Sequence, residues 1–277
     1  GVVTTLSGVF DRGVGAVVGS AIFNLLVIPG LSGLWARGDL EANRTIVYKE
    51  AQFYMLAVSA LVVTFALAVI YIPVPGETLV GEITRPLAVI PLLLYGLYLF
   101  VQWQDVGDHD VAGANNVPVA REWVRLVVGL AAILFGVELL VGAVESLGAA
   151  YGVPEFLAGV TVVAAATSLP DTIVSVRSAR GGASVTSLGN VLGSNTFDLL
   201  VAIPVGVLIV GRVPINFAAA VPMFGTLTAA TVILFIFLRT DLRLTRADSW
   251  VLLIICLLFV VWLVAETVGV PDLITAL

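Results

Sequence analysis

Long apolar runs constrain this chain more than any other feature. Eight can be delimited, at about 15–35, 51–72, 87–103, 123–147, 153–178, 187–210, 216–238 and 250–268. A helix needs about 20 residues to cross roughly 30 Å of hydrocarbon, and the runs are of that order. In lipid each backbone N–H must be satisfied within the membrane, which leaves only helices or a closed barrel. A barrel requires short strands of alternating polarity, whereas these runs are solidly apolar. The expected fold class is therefore all-α, a multi-spanning helical membrane protein. Composition agrees: 60% of residues are hydrophobic, 12% are charged and mean hydropathy is +1.10. That leaves too little polar surface for a soluble domain of this length.

The charge balance narrows the function. A net charge of −6 and a pI near 4.7 exclude a nucleic-acid partner, which needs a basic face. Asp105, Asp108 and Asp110 read as a solvating stretch of linker, and His109 stands alone beside them. Cys256 is the single cysteine, so neither an internal disulfide nor a thiolate metal cluster is expected. No nucleophile–base pair, phosphate loop or His/Cys metal set points to an enzyme or to a cofactor. Gly1 is not preceded by a charged leader, which suggests a processed chain or a fragment.

Basic residues set an expected orientation. With the spans above, Arg37, Arg44, Lys49, Arg121, Arg125, Arg177, Arg180, Arg239, Arg243 and Arg246 fall on one side. Only Arg12, Arg85 and Arg212 fall on the other. The positive-inside rule makes the first side cytoplasmic and puts the C-terminus outside.

The sequence also repeats itself. The stretch from Gly15 to Val27 aligns with Gly189 to Val201, with eight of thirteen positions identical, among them Gly19-Ser20 with Gly193-Ser194 and Phe23 with Phe197. Under the expected topology the copies cross the membrane in opposite senses. Such inverted-topology repeats bind substrate near the midplane where the copies meet. The expected organisation is a first half over 1–103, a cytoplasmic linker over 104–121 and a second half over 122–277.

Carboxylates inside apolar spans cost about 2.5–3.5 kcal/mol each on insertion scales, so each asks for a reason. Asp171 and Asp198 lie among small oxygen-bearing residues, without Lys or Arg nearby in sequence. Carboxylates with hydroxyls, amides and carbonyls are the ligand set of hard cations such as Ca²⁺ and Na⁺. Thr167, Ser168 and Asp171 share one helical face. Pro170 has no N–H, so the Ala166 carbonyl loses its helical partner, and the Ala164 carbonyl is expected to loosen as well. On the next span Asn190, Ser194 and Asp198 form one stripe, and Ser20 and Asn24 repeat the spacing in the first copy. Ser175, Ser178 and Ser187 read instead as hydrogen-bonding glue between helices. Glu138 lies within a span, either functional or paired within its bundle; Glu145, Glu155 and Glu266 are expected near headgroups.

The stretch from Gly159 to Asp171, with Thr167-Ser168-Leu169-Pro170-Asp171, followed by Gly189 to Asp198, resembles the second α-repeat of the sodium/calcium exchangers in the cation/Ca²⁺ exchanger superfamily. Gly136-Val137-Glu138-Leu139-Leu140-Val141 and Gly152-Val153-Pro154-Glu155 fit the family's pattern for the preceding helix. The resemblance spans essentially the whole chain and implies a prokaryotic member, with ten transmembrane helices and a central cluster of cation sites. It implies exchange of Ca²⁺ for Na⁺ by alternating access. By position, Asp171 and Asp198 would be carboxylate ligands, Thr167, Ser168, Ser194, Ser20 and Asn24 neutral ligands, and Ala164 a carbonyl ligand. The partners implied are the two ions and the lipid bilayer, and the expected location is a prokaryotic plasma membrane.

Several positions depart from the family pattern. Ala166 stands where Gly is usual, and Ala16 and Ala21 replace expected Asn residues. Asp171 replaces the Glu common in prokaryotic members and matches the animal and K⁺-dependent branches, leaving K⁺ co-transport open. The first repeat's own Thr-Ser-x-Pro-Glu does not occur. Aligning Val3–Ser7 with Val174–Ser178 puts the matching acid just before Gly1, so the first helix and the front of the second are expected to lie outside this sequence. Residues 1–277 alone are then expected not to catalyse exchange. Two other readings stay open: a Ca²⁺/H⁺ antiporter of the same fold, and a cation channel in which the same oxygens line a pore.

Overall fold

The computed structural model describes residues 10–107, 119–151 and 164–267. Residues 1–9, Asp108, His109, Asp110, Glu155 and the Gly159–Val163 front of the exchanger motif lie outside the described residues, as do the side chains of Asp105, Glu145 and Glu266. The elements are α1 Phe10–Trp35, β1 Leu40–Glu41, a π-helical turn Ile46–Ala51 leading into α2 Gln52–Tyr71, β2 Val80–Thr84, α3 Arg85–Gly107 and α4 Val119–Tyr151. There follow α5 Ala164–Thr167, α6 Leu169–Arg180, α7 Ser184–Phe197, a second π-helical turn Asp198–Ala202, α8 Ile203–Val210, β3 Arg212–Asn216, α9 Phe217–Arg239, β4 Arg243–Leu244 and α10 Arg246–Thr267.

Six of the expected spans reappear as helices long and apolar enough to cross a membrane: Val17–Trp35, Ile46–Tyr71, Arg85–Gln104, Ser184–Val210, Ala220–Arg239 and Arg246–Ala265. The expected span at 123–147 lies wholly within α4, and the described part of 153–178 forms α5 and most of α6. α1 starts at Phe10, earlier than expected, and Asp11-Arg12-Gly13 is helical, since one glycine costs a helix only about 1 kcal/mol.

Local chemistry fixes several helix starts. Asn43 accepts the Ile46 N–H at 2.8 Å, capping the helix that becomes α2. Thr245 and Asp248 form a reciprocal box at the head of α10, with Asp248 N–H to Thr245 Oγ1 at 3.2 Å and Thr245 N–H to Asp248 Oδ2 at 2.9 Å.

The two halves clasp each other through two short antiparallel ladders. β1, which follows α1, pairs with β4, which follows α9 (Leu40 with Leu244). β3, which follows α8, pairs with β2, which follows α2 (Val80 with Asn216 through Thr84 with Arg212). Each half thus lends the other the strand after its repeat helix, the exchange a pseudo-two-fold axis produces. The ladders also sort the basic residues. At the first, Arg243 meets Asp39 at 3.3 Å and the Arg239 guanidinium lies 5.8 Å from the Tyr48 ring centre. At the second, Arg212 meets Glu82 at 3.3 Å and Arg85 Nε donates to the Leu208 carbonyl at 3.0 Å.

The repeat copies run antiparallel. Asn24 of α1 bonds Asn195 of α7, and eight residues further along α1 Ser32 bonds Ser187, eight residues back along α7. The buried core forms around this pair and takes in Leu25, Leu26, Tyr54, Phe65, Leu192 and Leu199. One register holds from Gly15/Gly189 to Val27/Val201, but Pro29 and Pro204 match only if the second copy carries one extra residue. The π-helical turn Asp198–Ala202 is where that residue is absorbed. Wide turns of this kind favour functional sites, and this one begins at Asp198.

Candidate cation site

The predicted site residues come from two antiparallel helices and one broken segment. Pro170 sits in the first turn of α6, where its missing N–H is tolerated, and the chain breaks at Ser168 between α5 and α6. The break brings Ser168, only 1% exposed, against α1, where Ser20 and Ser168 share a hydrogen bond at 2.9 Å. Asn24 Nδ2 donates to Asn195 Oδ1 at 2.8 Å, and Asn195 Nδ2 donates to the Ala21 carbonyl at 3.2 Å. Buried amides bonded to each other in this way hold two helices in one register.

The carboxylates lie on the elements that flank this seam. Asp171, half-buried on the first turn of α6, interacts with the side chains of Ser194 and Asn190 on α7. Asn190 also donates to Ser175 Oγ at 3.0 Å, fastening α6 to α7. Asp198 is half-buried one turn beyond Ser194, close enough to Asp171 for their charges to interact. Two carboxylates held near each other without a basic partner among the described residues repel, and a bound cation relieves that repulsion. Among the described residues no group of three or more acids, histidines or cysteines is assembled to hold a metal. A cation here would depend on two acids supplemented by neutral oxygens.

The neutral candidates differ in readiness. Ser20, Ser168 and Asn24 are buried at the seam. Ser194 Oγ donates back to the Val191 carbonyl at 3.2 Å. The Ala164 carbonyl differs from the freed ligand expected: it accepts both Ser168 N–H and Thr167 Oγ1, each at 3.1 Å. An ion reaching the Ala164 carbonyl must first turn the Thr167 hydroxyl away. Ser187 does join helices, through its bond to Ser32 at 3.2 Å. Glu138 lies exposed on α4.

Sequence reasoning missed two features beside the site. Tyr54 on α2 is fully buried next to Asn195 and Thr231, in the field of Asp198. Glu50, 7% exposed, accepts from Tyr98 Oη at 2.8 Å and from Gln102 Nε2 at 2.7 Å, with Lys49 Nζ at 3.5 Å. Tyr98 lies 5.8 Å from Tyr95, which meets Phe197 at 5.9 Å, directly before Asp198. A polar tyrosine in an apolar run gives no local signal, but Glu50 at the head of a span does.

An antiparallel repeat pair with paired carboxylates at its seam defines a membrane transporter of inverted-repeat construction. The sequence pattern of the family described as "Sodium/calcium exchanger protein" matches residues 1–104 and 121–265, and the chain belongs to that family. It is 28% identical over 260 residues to "Putative antiporter CaxA" of Alkalimonas amylolytica, covering 89% of this chain and 76% of that one. It is 32% identical over 144 residues to "Sodium/calcium exchanger MaX1" of Methanosarcina acetivorans, covering 51% of this chain and 40% of that one. The fold matches a solved structure of the sodium-calcium exchanger NCX_Mj with a TM-score of 0.69 at 22% identity, covering 94% of this chain and 79% of that one. The chain is thus an integral membrane protein with the exchanger fold.

Proposed function

We propose that this protein is a secondary active antiporter that exchanges Ca²⁺ for Na⁺ by alternating access, binding both ions near the membrane midplane. The observation that carries this reading is the seam itself. Antiparallel copies bring Asn24 to Asn195, and the broken segment brings Ser168 to Ser20, beside Asp171 and Asp198. Asp171 and Asp198 supply charge, and Thr167, Ser168, Ser194, Ser20, Asn24 and the Ala164 carbonyl supply neutral oxygens of the kind hard cations take. Inverted repeats with a broken helix at the site support alternating access rather than a continuous pore. The halves 1–103 and 122–277, joined by the linker 104–121, would rock about this seam. The side bearing the β1·β4 ladder would face the cytoplasm of a prokaryotic plasma membrane, with the C-terminus outside.

Radiolabelled Ca²⁺ uptake into proteoliposomes of the full-length protein tests the reading. Uptake should follow an outward Na⁺ gradient, and Asp171→Asn should abolish it. Uptake driven only by an outward H⁺ gradient would move the protein to the proton-coupled branch with the same site. Uptake from neither gradient, in folded protein, would sink the antiporter reading.

A further inference from the structure

Two buried oxygen atoms near the seam find no hydrogen-bond partner among the described residues: Asn24 Oδ1 and Tyr54 Oη. Buried polar groups are nearly always satisfied, and an exception calls for a ligand or a moving part. Asn24 belongs to the proposed ion site, so an ion accounts for its oxygen. Tyr54 belongs to neither repeat copy. It projects from α2 and is fully buried. Its hydroxyl lies beside the Asn195 and Thr231 side chains without bonding either, and Asp198 stands one turn from Asn195 on the same stripe. α2 packs both on the turn that carries Asp198 and on α9, which carries Thr231.

The neighbours leave the tyrosine O–H two destinations. Thr231 Oγ1 donates its own proton to the Leu227 carbonyl at 2.7 Å, so its lone pairs remain open to accept. Asp198, when no cation neutralises it, is the stronger acceptor, because a hydrogen bond to an ionised carboxylate is about twice as strong as a neutral one. A bound cation competes with the phenol for the same carboxylate.

Resting on the exchange reading above, we propose that Tyr54 is a positioning residue of the transport cycle, its hydroxyl parked toward Thr231 when Asp198 holds a cation and donated to Asp198 when the cation leaves. A buried carboxylate stripped of its ion is costly. A donor that takes the ion's place stabilises the empty site and so eases release.

The consequence has a sign that a packing role lacks. Tyr54→Phe keeps the ring and removes only the donor, so the empty site loses stability, cations bind more tightly, and release slows. Half-saturating Ca²⁺ should fall by up to roughly tenfold, with a lower maximal exchange rate. Thr231→Val removes the parking acceptor and should act in the opposite direction, raising half-saturating Ca²⁺. Both variants are measured by Na⁺-gradient-driven Ca²⁺ uptake in proteoliposomes of the full-length protein, beside wild type. Opposite shifts in the two variants are expected. An unchanged or weakened Ca²⁺ affinity in folded Tyr54→Phe overturns the proposal while leaving exchange intact. If Tyr54→Phe does not fold, Thr231→Val with unchanged or tighter Ca²⁺ affinity overturns it equally. Wild-type protein that moves Ca²⁺ under neither a Na⁺ nor an H⁺ gradient overturns the exchange reading, and this proposal with it.

Discussion

The repeat copies share a sequence pattern but divide the work. In α1 the stripe ends in Asn24, neutral and 1% exposed, bonded across to Asn195. In the second copy the matching position is Asp198, half-buried and at the start of a wide helical turn just past α7. The first copy is also the more tightly packed. Gly30 lies where a Cβ would come within 3.1 Å of the Ser249 carbonyl, and a Cβ on Gly33 would strike the Ser249 hydroxyl. The second copy has Leu208 where Gly33 stands, counting from the prolines. The first helix thus packs as a wall against α10, while the second carries the charge at a wide helical turn. The repeat brings the two helices together, and departures from it decide where the charge sits.

That contrast is open to attack by exchanging the two residues. Asp198→Asn should remove one of two carboxylates and weaken Ca²⁺ binding by about a hundredfold, as loss of a charged partner at a few kcal/mol implies. Adding Asn24→Asp should restore part of the loss, because the side chain projects into the same seam. Isothermal titration in detergent reads both. No recovery in folded double variant would mean that the wide turn, and not the charge alone, makes Asp198 a ligand.

A smaller effect tests the wall. Gly33→Val places branched carbon against Ser249, and overpacking of this kind costs about 1–3 kcal/mol. The melting temperature in detergent should drop, with little change in Ca²⁺ affinity for the protein that remains folded. An unchanged melting temperature would show that α10 is free to move away from α1.

Much of this was legible in the sequence, and the limits have physical causes. Gly19-Ser20 and Gly193-Ser194 are placed by the repeat, and the Pro170 break follows from the missing N–H, so the meeting of these segments could be read from residues alone. The ladders could not. β1 and β4 have two residues each and exist only because the halves meet across 204 positions, as between Leu40 and Leu244. The network around Glu50 joins residues 48 and 52 positions apart, a distance helical periodicity does not resolve. Glu50 itself is visible in the sequence as an acid at the head of an apolar span. Ala164 shows the opposite failure. Proline frees a carbonyl only at one spacing, and the turn before it kept its hydrogen bonds.

The central claim is that both halves of the chain contribute to one ion site. A double-variant cycle of Ser20→Ala and Ser168→Ala, read as half-saturating Ca²⁺ in exchange assays of the full-length protein, tests it most directly. Because the two hydroxyls share one hydrogen bond at 2.9 Å, their effects should be coupled, with the double variant close to the worse single one. Strictly additive losses would mean that the two serines act at separate places, and would contradict a shared site.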